Sequence, residues 1–122
     1  MNIEQLRDYC LSKKGVTEAF PFDETTLVFK VSGKMFALTS LKVWEEGTPS
    51  INLKCDPDYA QELRATYESI QPGYHMNKKH WNTVQLNQEA LNPNFIIKLI
   101  NHSYDAVVKS LPQKVREHIH EC

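Results

Sequence analysis

Glycine is scarce in this chain, with 4 among 122 residues. A loop that surrounds a nucleotide phosphate needs several glycines close together, so the sequence offers no such loop. Long apolar runs are also missing, since no stretch approaches the roughly 20 residues of a membrane helix. The first residues, Met-Asn-Ile-Glu-Gln-Leu-Arg, lack the apolar segment of a secretory signal. We therefore expect a protein that has no membrane association and no export signal.

Cysteine is limited to Cys10, Cys55 and Cys122. An odd number of widely spaced cysteines is typical of reduced thiols rather than of a disulfide framework. The cytoplasm is the expected location. Cys55 lies next to a predicted helix start, where the pKa of a thiol can be lowered. Its position on an alternating strand favours the other interpretation, a small residue of the core.

Histidines are present without the spacing that metal sites need. His75 and His80 are five positions apart, which suits neither one helix face nor one strand face, and H-E-x-x-H and C-x-x-C are missing. His118, His120 and Cys122 stand at a chain end, where such residues are usually surface groups. We predict no bound metal and no cofactor.

Neither sign of charge is in excess, with 14 basic against 15 acidic residues and a net charge of −1. Proteins that bind nucleic acid strongly and indiscriminately are usually clearly basic. The charges are nevertheless uneven: residues 71–84 contain two lysines and no acid, whereas residues 55–70 contain four acids and one arginine. This charge pattern allows nucleic acid to bind at a local basic site on a nearly neutral protein.

The pattern of apolar residues predicts helices separated by short strands. Asn2, Asp56-Pro57 and Asn92-Pro93 are helix starts, the last opening a helix to about Leu111. The first helix is followed by an extended link over residues 16–22. Residues 25–31 and 34–39 form a hairpin around Ser32-Gly33, and residues 50–55 and 81–86 form further strands.

We predict from this order an α+β protein of one domain over residues 1–122. The sheet is antiparallel because its strands follow one another through short turns. About five strands and three main helices are expected, in the order α-β-β-β-α-β-α. In the second helix the buried stripe is predicted to run from Ala60 through Leu63 and Tyr67 to Ile70. Residues 113–122 are expected to add one or two helical turns.

No group of residues predicts catalysis. The sequence lacks G-x-S-x-G, and the acidic pairs Asp23-Glu24 and Glu45-Glu46 fall in predicted loops, where they are solvated. We therefore expect a protein that is not an enzyme and that acts as a monomer.

Residues 73–84 form the densest polar and aromatic run of the chain. One interpretation is contact with nucleic acid, in which lysines meet phosphates, an asparagine reaches a base edge and aromatic rings stack. The other is a buried corner, in which His80 and Trp81 pack and satisfy loop backbone groups. The candidate nucleic-acid contacts are His75, Asn77, Lys78, Lys79 and Trp81.

Two further hypotheses remain open. A protein or peptide partner could bind the sheet face or a strand edge, since Phe20, Phe22 and Trp44 are aromatics in predicted loops. A small molecule could occupy a pocket around His75, His80 and Trp81.

The run Pro-Gly-Tyr-His-Met-Asn-Lys at residues 72–78, followed by His-Trp-Asn at 80–82, resembles the signature of the MmcQ/YjbR family of small bacterial proteins. The similarity extends over residues 28–31, 34–38 and 52–57 and to Ser103-Tyr104. It implies a double-wing α/β sandwich, in which helices pack on a curved antiparallel sheet. It also implies a likeness to the DNA-binding domain of a phage transcription factor, and hence DNA as a partner. No catalytic residue is implied.

Overall fold

The computed structural model describes residues 1–87 and 91–121, with the side chains of residues 120 and 121 left out. Within these residues the chain forms five helices and six strands. The helices are α1 (Ile3–Leu11), α2 (Leu41–Glu45), α3 (Pro57–Thr66), α4 (Pro93–Lys109) and α5 (Gln113–Glu121). The strands are β1 (Val16–Ala19), β2 (Thr26–Val31), β3 (Lys34–Ser40), β4 (Ser50–Lys54), β5 (Ile70–Pro72) and β6 (Trp81–Gln85).

All strands belong to one antiparallel sheet with the order β1-β2-β3-β4-β6-β5. β2 and β3 form the predicted hairpin, whose turn residues Ser32 and Gly33 have φ values of 48° and 84°. Two positive φ angles give the turn the twist that suits antiparallel strands. The predicted α+β class and the antiparallel sandwich are thus confirmed.

The three main helix starts are those that the sequence indicates. Asn2 and Gln5 form a reciprocal capping box at α1. Asp56 caps α3 by accepting from the main-chain N–H of Tyr59 over 3.2 Å. Asn92 caps α4 in the same way. Each side chain replaces one hydrogen bond that the first helical turn cannot make internally.

The helices cover one face of the sheet, and the hydrophobic core lies between the helices and this face. Phe29, Phe36 and Ile100 are fully buried there. Ser103 of α4 reaches between two strands: its hydroxyl donates to the carbonyl oxygen of Phe36 and accepts from the N–H of Lys54 over 2.9 Å. A register shift after Phe29 leaves Phe36 as an extra residue in β3, which is a β-bulge.

The structure corrects the predicted stripe of the second helix. α3 ends at Thr66, and Tyr67 follows with extended backbone angles of −122° and 119°. Ile70 is therefore not on the helix but in β5, where it pairs with Val84. Ile70 is fully buried, so its predicted burial is confirmed. Its predicted place on the helix is wrong. Helical spacing alone does not separate a last turn from a short strand that enters the same core.

Further differences concern short elements. The predicted link over residues 16–22 contains β1, an edge strand of 4 residues. α2 has 5 residues, and no helix was predicted there. The tail turns are confirmed as α5, with Ile119 5% exposed. Cys122 and the side chain of His120, which belong to the terminal histidine-cysteine group, lie outside the described residues. Among the helices of the described residues, none combines the length and apolar character needed to span a membrane.

Candidate functional site

The face of the sheet that points away from the main core carries the candidate site, and we call it the open face. Strand pairing defines it, because directly paired residues share a face. One row of paired residues crosses the whole sheet, and none of its side chains is charged. The row consists of Ala19, Val28, Leu38, Asn52, Thr83 and Gln71.

A second, smaller apolar cluster lies on the open face. Val28, Leu38 and Trp81 are its buried members, with Trp81 7% exposed, and Met35 and Met76 pack against them. Met76 belongs to residues 73–80, which we call the corner loop. The corner loop therefore packs on the open face and partly covers it.

The corner loop is held by its own main chain. The N–H of Gly73 donates to the carbonyl of Trp81 over 2.8 Å, and the N–H of Trp81 donates to the carbonyl of Asn77 over 3.0 Å. The carbonyl of His80 accepts from the N–H of Cys55 over 2.7 Å, which ties the loop to the end of β4. A Cβ at Gly73 would lie 2.8 Å from that of Trp81. The close approach explains why glycine occupies the start of the loop.

Arg64 of α3 holds the corner loop from the helix side. Its Nε donates to Oδ1 of Asn82 over 2.6 Å, and one terminal nitrogen donates to the carbonyl of Trp81 over 3.1 Å. The same nitrogen donates to the carbonyl of Lys78. A planar guanidinium presents several donors in fixed directions, so a single side chain can fix several acceptors. The sequence does not single out Arg64, because a basic residue is common in the last turn of any helix, where it interacts favourably with the helix dipole.

The five candidate contacts have different environments. His75 is exposed, has a φ of 58° and lies against the Tyr74 ring with centroids 4.0 Å apart. Asn77 is exposed, but its Oδ1 accepts from the main-chain N–H of Lys79 over 2.9 Å, so this oxygen stabilises the turn.

The two lysines of the corner loop also differ. Both are exposed, but Nζ of Lys78 donates to the carbonyl of Gly73 over 3.1 Å. Trp81 is buried beneath the corner loop, as the packed-corner interpretation expects. The structure thus places four of the candidates in the corner loop and the fifth, Trp81, beneath it at the start of β6. DNA contact by these residues stays a prediction.

The charged side chains that the strands place on the open face are lysines. Lys30 pairs with Met35 and Lys54 pairs with Trp81, so both lysines share a face with the second apolar cluster. Among the strands in the described residues, Glu18 is the single carboxylate, and it pairs with Phe29 on the helix side. The guanidinium of Arg7 donates to Glu18 and lowers the pKa of that carboxyl. The strands of the open face therefore carry lysines without a carboxylate.

The loop between β1 and β2 bounds the other side of the open face. Phe20 and Phe22 are 48% and 64% exposed there. Asp23 follows, and its Oδ1 accepts from the N–H groups of Thr25 and Thr26 over 2.8 and 2.7 Å. These main-chain bonds lower the pKa of Asp23. Trp44 is half-buried and donates from Nε1 to Thr39 over 2.8 Å, so it belongs to the packing rather than to the exposed rim.

The described thiols are poor nucleophiles. Burial raises the pKa of Cys10 to about 12 and that of Cys55 to about 11. At neutral pH both are uncharged, and the thiolate is the reactive form. In the described part of the chain, no three histidine, cysteine or acidic residues come close enough to hold a metal ion.

Known proteins of similar sequence include two from Escherichia coli. The chain is 40% identical to protein YbdF of Escherichia coli O157:H7 over 82% of this chain and 79% of that one. It is 32% identical to protein YjbR of Escherichia coli strain K12 over 96% of both.

Two solved structures share the fold. The crystal structure of Deinococcus radiodurans protein DR2400, with the domain DUF419, has a TM-score of 0.87 at 37% identity, covering 98% of this chain and 88% of that one. The crystal structure of a Pseudomonas syringae protein has a TM-score of 0.72 at 32% identity, covering 87% of this chain and 98% of the other. The YjbR family model matches residues 11–106, and the chain belongs to the YjbR family.

Proposed function

We propose that this protein binds DNA through the open face of its sheet, without catalysing a reaction, as a monomer in the cytoplasm. One observation carries the proposal: the strands of the open face hold Lys30 and Lys54 and no carboxylate. The whole chain, by contrast, has more acidic than basic residues. Such separation gives a nearly neutral protein one face that attracts phosphates.

Both open-face lysines suit this role. Each is half-buried, which lets the aliphatic stem lie on apolar neighbours while the ammonium stays in water. At the edge of the face, the exposed Lys79 and His75 of the corner loop add donors for phosphate oxygens. The limited number of lysines predicts modest affinity with a shallow salt dependence, rather than the tight binding of a strongly basic domain.

Fluorescence anisotropy with a labelled DNA of random sequence tests the proposal. The variant K30A/K54A removes both lysines of the open face. The matched variant K98A/K109A removes two exposed lysines from α4, on the other side of the sheet, and gives the same net charge. The open-face variant should bind more weakly, and the slope of log Kd against log salt should fall by about two. K98A/K109A should bind like the original protein.

Two results would contradict the proposal. One is no binding by the original protein at micromolar concentration and low salt. The other is an equal loss of affinity in the two lysine variants, since that would reflect net charge alone. A third variant, K78A/K79A, reports separately on the corner loop.

A protein partner is the second candidate, and the exposure of Phe20 and Phe22 favours it. Exposed aromatic rings close together in one loop are typical of contact surfaces between proteins. A partner captured from nuclease-treated lysate should be lost in F20S/F22S and retained in K30A/K54A. The opposite pattern would favour DNA.

A further inference from the structure

A groove of about 430 Å³ lies on the open face, lined by residues of the corner loop and of the β1–β2 loop. Met35, Leu38 and Met76 give it an apolar floor. We propose that this groove binds a small amphipathic organic anion, in which an apolar body of several carbons carries one anionic head group. Such a ligand site goes beyond the proposed contact with DNA.

The size and the lining of the groove suit a small molecule. Binding sites for small molecules have volumes of roughly 300–1,000 Å³ and are lined mostly by apolar groups with a few polar ones. Of the three large hydrophobic side chains that are exposed in the described chain, two, Phe22 and Tyr74, line this groove. Because the exposed apolar groups gather at one concave place, an apolar ligand would remove them from water together.

Two methionines make the floor of the groove adaptable. Met35 and Met76 are half-buried and pack against the second apolar cluster. Their unbranched side chains have three rotatable bonds and adjust to apolar bodies of different shapes. The floor therefore favours apolar contact without selecting one carbon skeleton, and the structure assigns a class of ligand rather than a single compound.

Two lysines stem from one end of the groove. Lys30 pairs directly with Met35, a residue of the floor. Lys54 follows two residues after Asn52, which lines the groove, and residues two apart in a strand share a face at a separation of about 7 Å. Because β3 and β4 are antiparallel and pair Leu38 with Asn52, Met35 and Lys54 lie on the same side of that pair, toward the β2–β3 turn. Both lysines therefore adjoin the end of the groove at this turn.

The acidic residues of the β1–β2 loop belong to the other end of the groove, where Thr26 begins β2. The carboxylate of Asp23 accepts from the N–H and hydroxyl groups of Thr25 and Thr26. With four donors already bound, it has little capacity left to hold a cationic head group. Glu24 is exposed and does not line the groove. An anionic head group is therefore attracted to the lysine end, while its apolar body lies on the floor.

Nuclear magnetic resonance of the methionine methyl groups tests the proposal, because the chain has 3 methionines and two of them line the groove. Titration with octanoate should shift the signals of Met35 and Met76 with one shared Kd. Met1 lines a different cavity, so its signal should stay in place and is the internal control. Hexanoate and decanoate extend the series, and each methylene that is buried should tighten binding about twofold to fourfold.

Octanamide and octylammonium keep the apolar body and change the head group. Octanoate should bind about threefold to tenfold more tightly than octanamide, the factor expected of ion pairs that stay in contact with water. Octylammonium should bind more weakly than the amide. The variant K30A/K54A should bind octanoate and octanamide with the same Kd, whereas K98A/K109A, which has the same net charge, should keep the difference.

The variants F22S and F20S locate the apolar contact. Both rings are exposed, so neither change disturbs the core, but of the two only Phe22 lines the groove. F22S should weaken the binding of octanoate by about threefold or more, since part of the apolar surface around the ligand is lost. F20S should bind octanoate like the original protein.

Several results would overturn the groove proposal. These are no methyl shift at millimolar octanoate, a shift of Met1 as large as those of Met35 and Met76, or equal affinity for the three head groups. A head-group preference that survives in K30A/K54A, or equal octanoate affinities of F22S and F20S, would overturn it as well. None of these titrations contains DNA, so their failure leaves DNA binding to its own test, and a failure of DNA binding leaves the groove proposal standing.

Discussion

Nε of Arg64 and Oδ1 of Asn82 lie 2.6 Å apart, and this bond joins α3 to the strand that leaves the corner loop. Asn82 is 2% exposed, so its oxygen has no access to bulk water. The arginine also bonds to the main chain on both sides of His80. The geometry of the candidate site therefore depends on a residue that lies outside it.

We expect Arg64→Ala to destabilise the fold by about 2–4 kcal/mol, because a buried asparagine oxygen and two carbonyls lose a charged donor. Urea denaturation measures the change. Arg64→Lys should recover only part of the loss, since an ammonium lacks the planar set of donors. Arg7→Ala is the control, because its ion pair with Glu18 is at the surface, and a much smaller loss is expected. Equal losses in the two alanine variants would contradict the role given to Arg64.

Gly73→Ala should cost about 1–3 kcal/mol through overpacking. The new Cβ would lie 2.8 Å from that of Trp81 and 3.0 Å from that of Met76, neither of which is the flexible end of a side chain. Tryptophan fluorescence should shift together with the stability. Gly33→Ala is the matched change at a glycine with a φ of +84° and open space around it. It should cost about 1 kcal/mol from backbone strain alone and leave the fluorescence unchanged.

The thiols Cys10 and Cys55 should be unreactive in the folded protein. In a Cys122→Ser variant, Ellman's reagent at mildly alkaline pH should detect almost no thiol before urea is added and both thiols afterwards. The raised pKa values also set a pH dependence. Unfolded thiols ionise above about pH 8.5, so the stability that these groups contribute is present below that value and is lost as the pH rises toward the folded pKa. Rapid reaction in native buffer would contradict the burial of the two side chains.

Asp23 should make the fold sensitive to acid. Its folded pKa is lowered by the N–H groups of Thr25 and Thr26, so its contribution is complete above the unfolded value of about 3.9. The contribution is lost as the pH falls through the lowered pKa. Melting temperatures measured from neutral pH into this acid range should fall less steeply for Asp23→Asn than for the original protein. Glu24→Gln removes the same charge one residue later and should keep the original slope.

Local signals in the sequence predicted much of the fold. Helix caps and tight turns involve only a few neighbouring residues, so the local sequence is enough to predict them. Examples are the caps at Asn2, Asp56 and Asn92 and the turn at Ser32-Gly33. The packed corner at Trp81 is partly local, because Gly73 and Asn77 bond to its main chain, and partly long-range, because Arg64 does so as well.

What could not be predicted depends on distant partners. Ile70 fits a helical stripe, and only its pairing with Val84 shows that it is in a strand. Arg64 acquires its role because β6 inserts between β4 and β5, which no local pattern indicates. Asn52 likewise accepts from Thr83, whose hydroxyl oxygen accepts from Tyr74, and both partners are far from Asn52 along the chain.

The hydroxyl of Ser103 joins Phe36 of β3 to Lys54 of β4, where it takes the place of a direct hydrogen bond between the strands. Direct pairing between β3 and β4 is confined to Ala37 with Leu53 and Leu38 with Asn52. Two residue pairs therefore join the half of the sheet formed by β1, β2 and β3 to the half formed by β4, β5 and β6. Beyond these pairs a side chain of α4 completes the connection, so the union of the two halves depends on the helix layer as well as on the sheet.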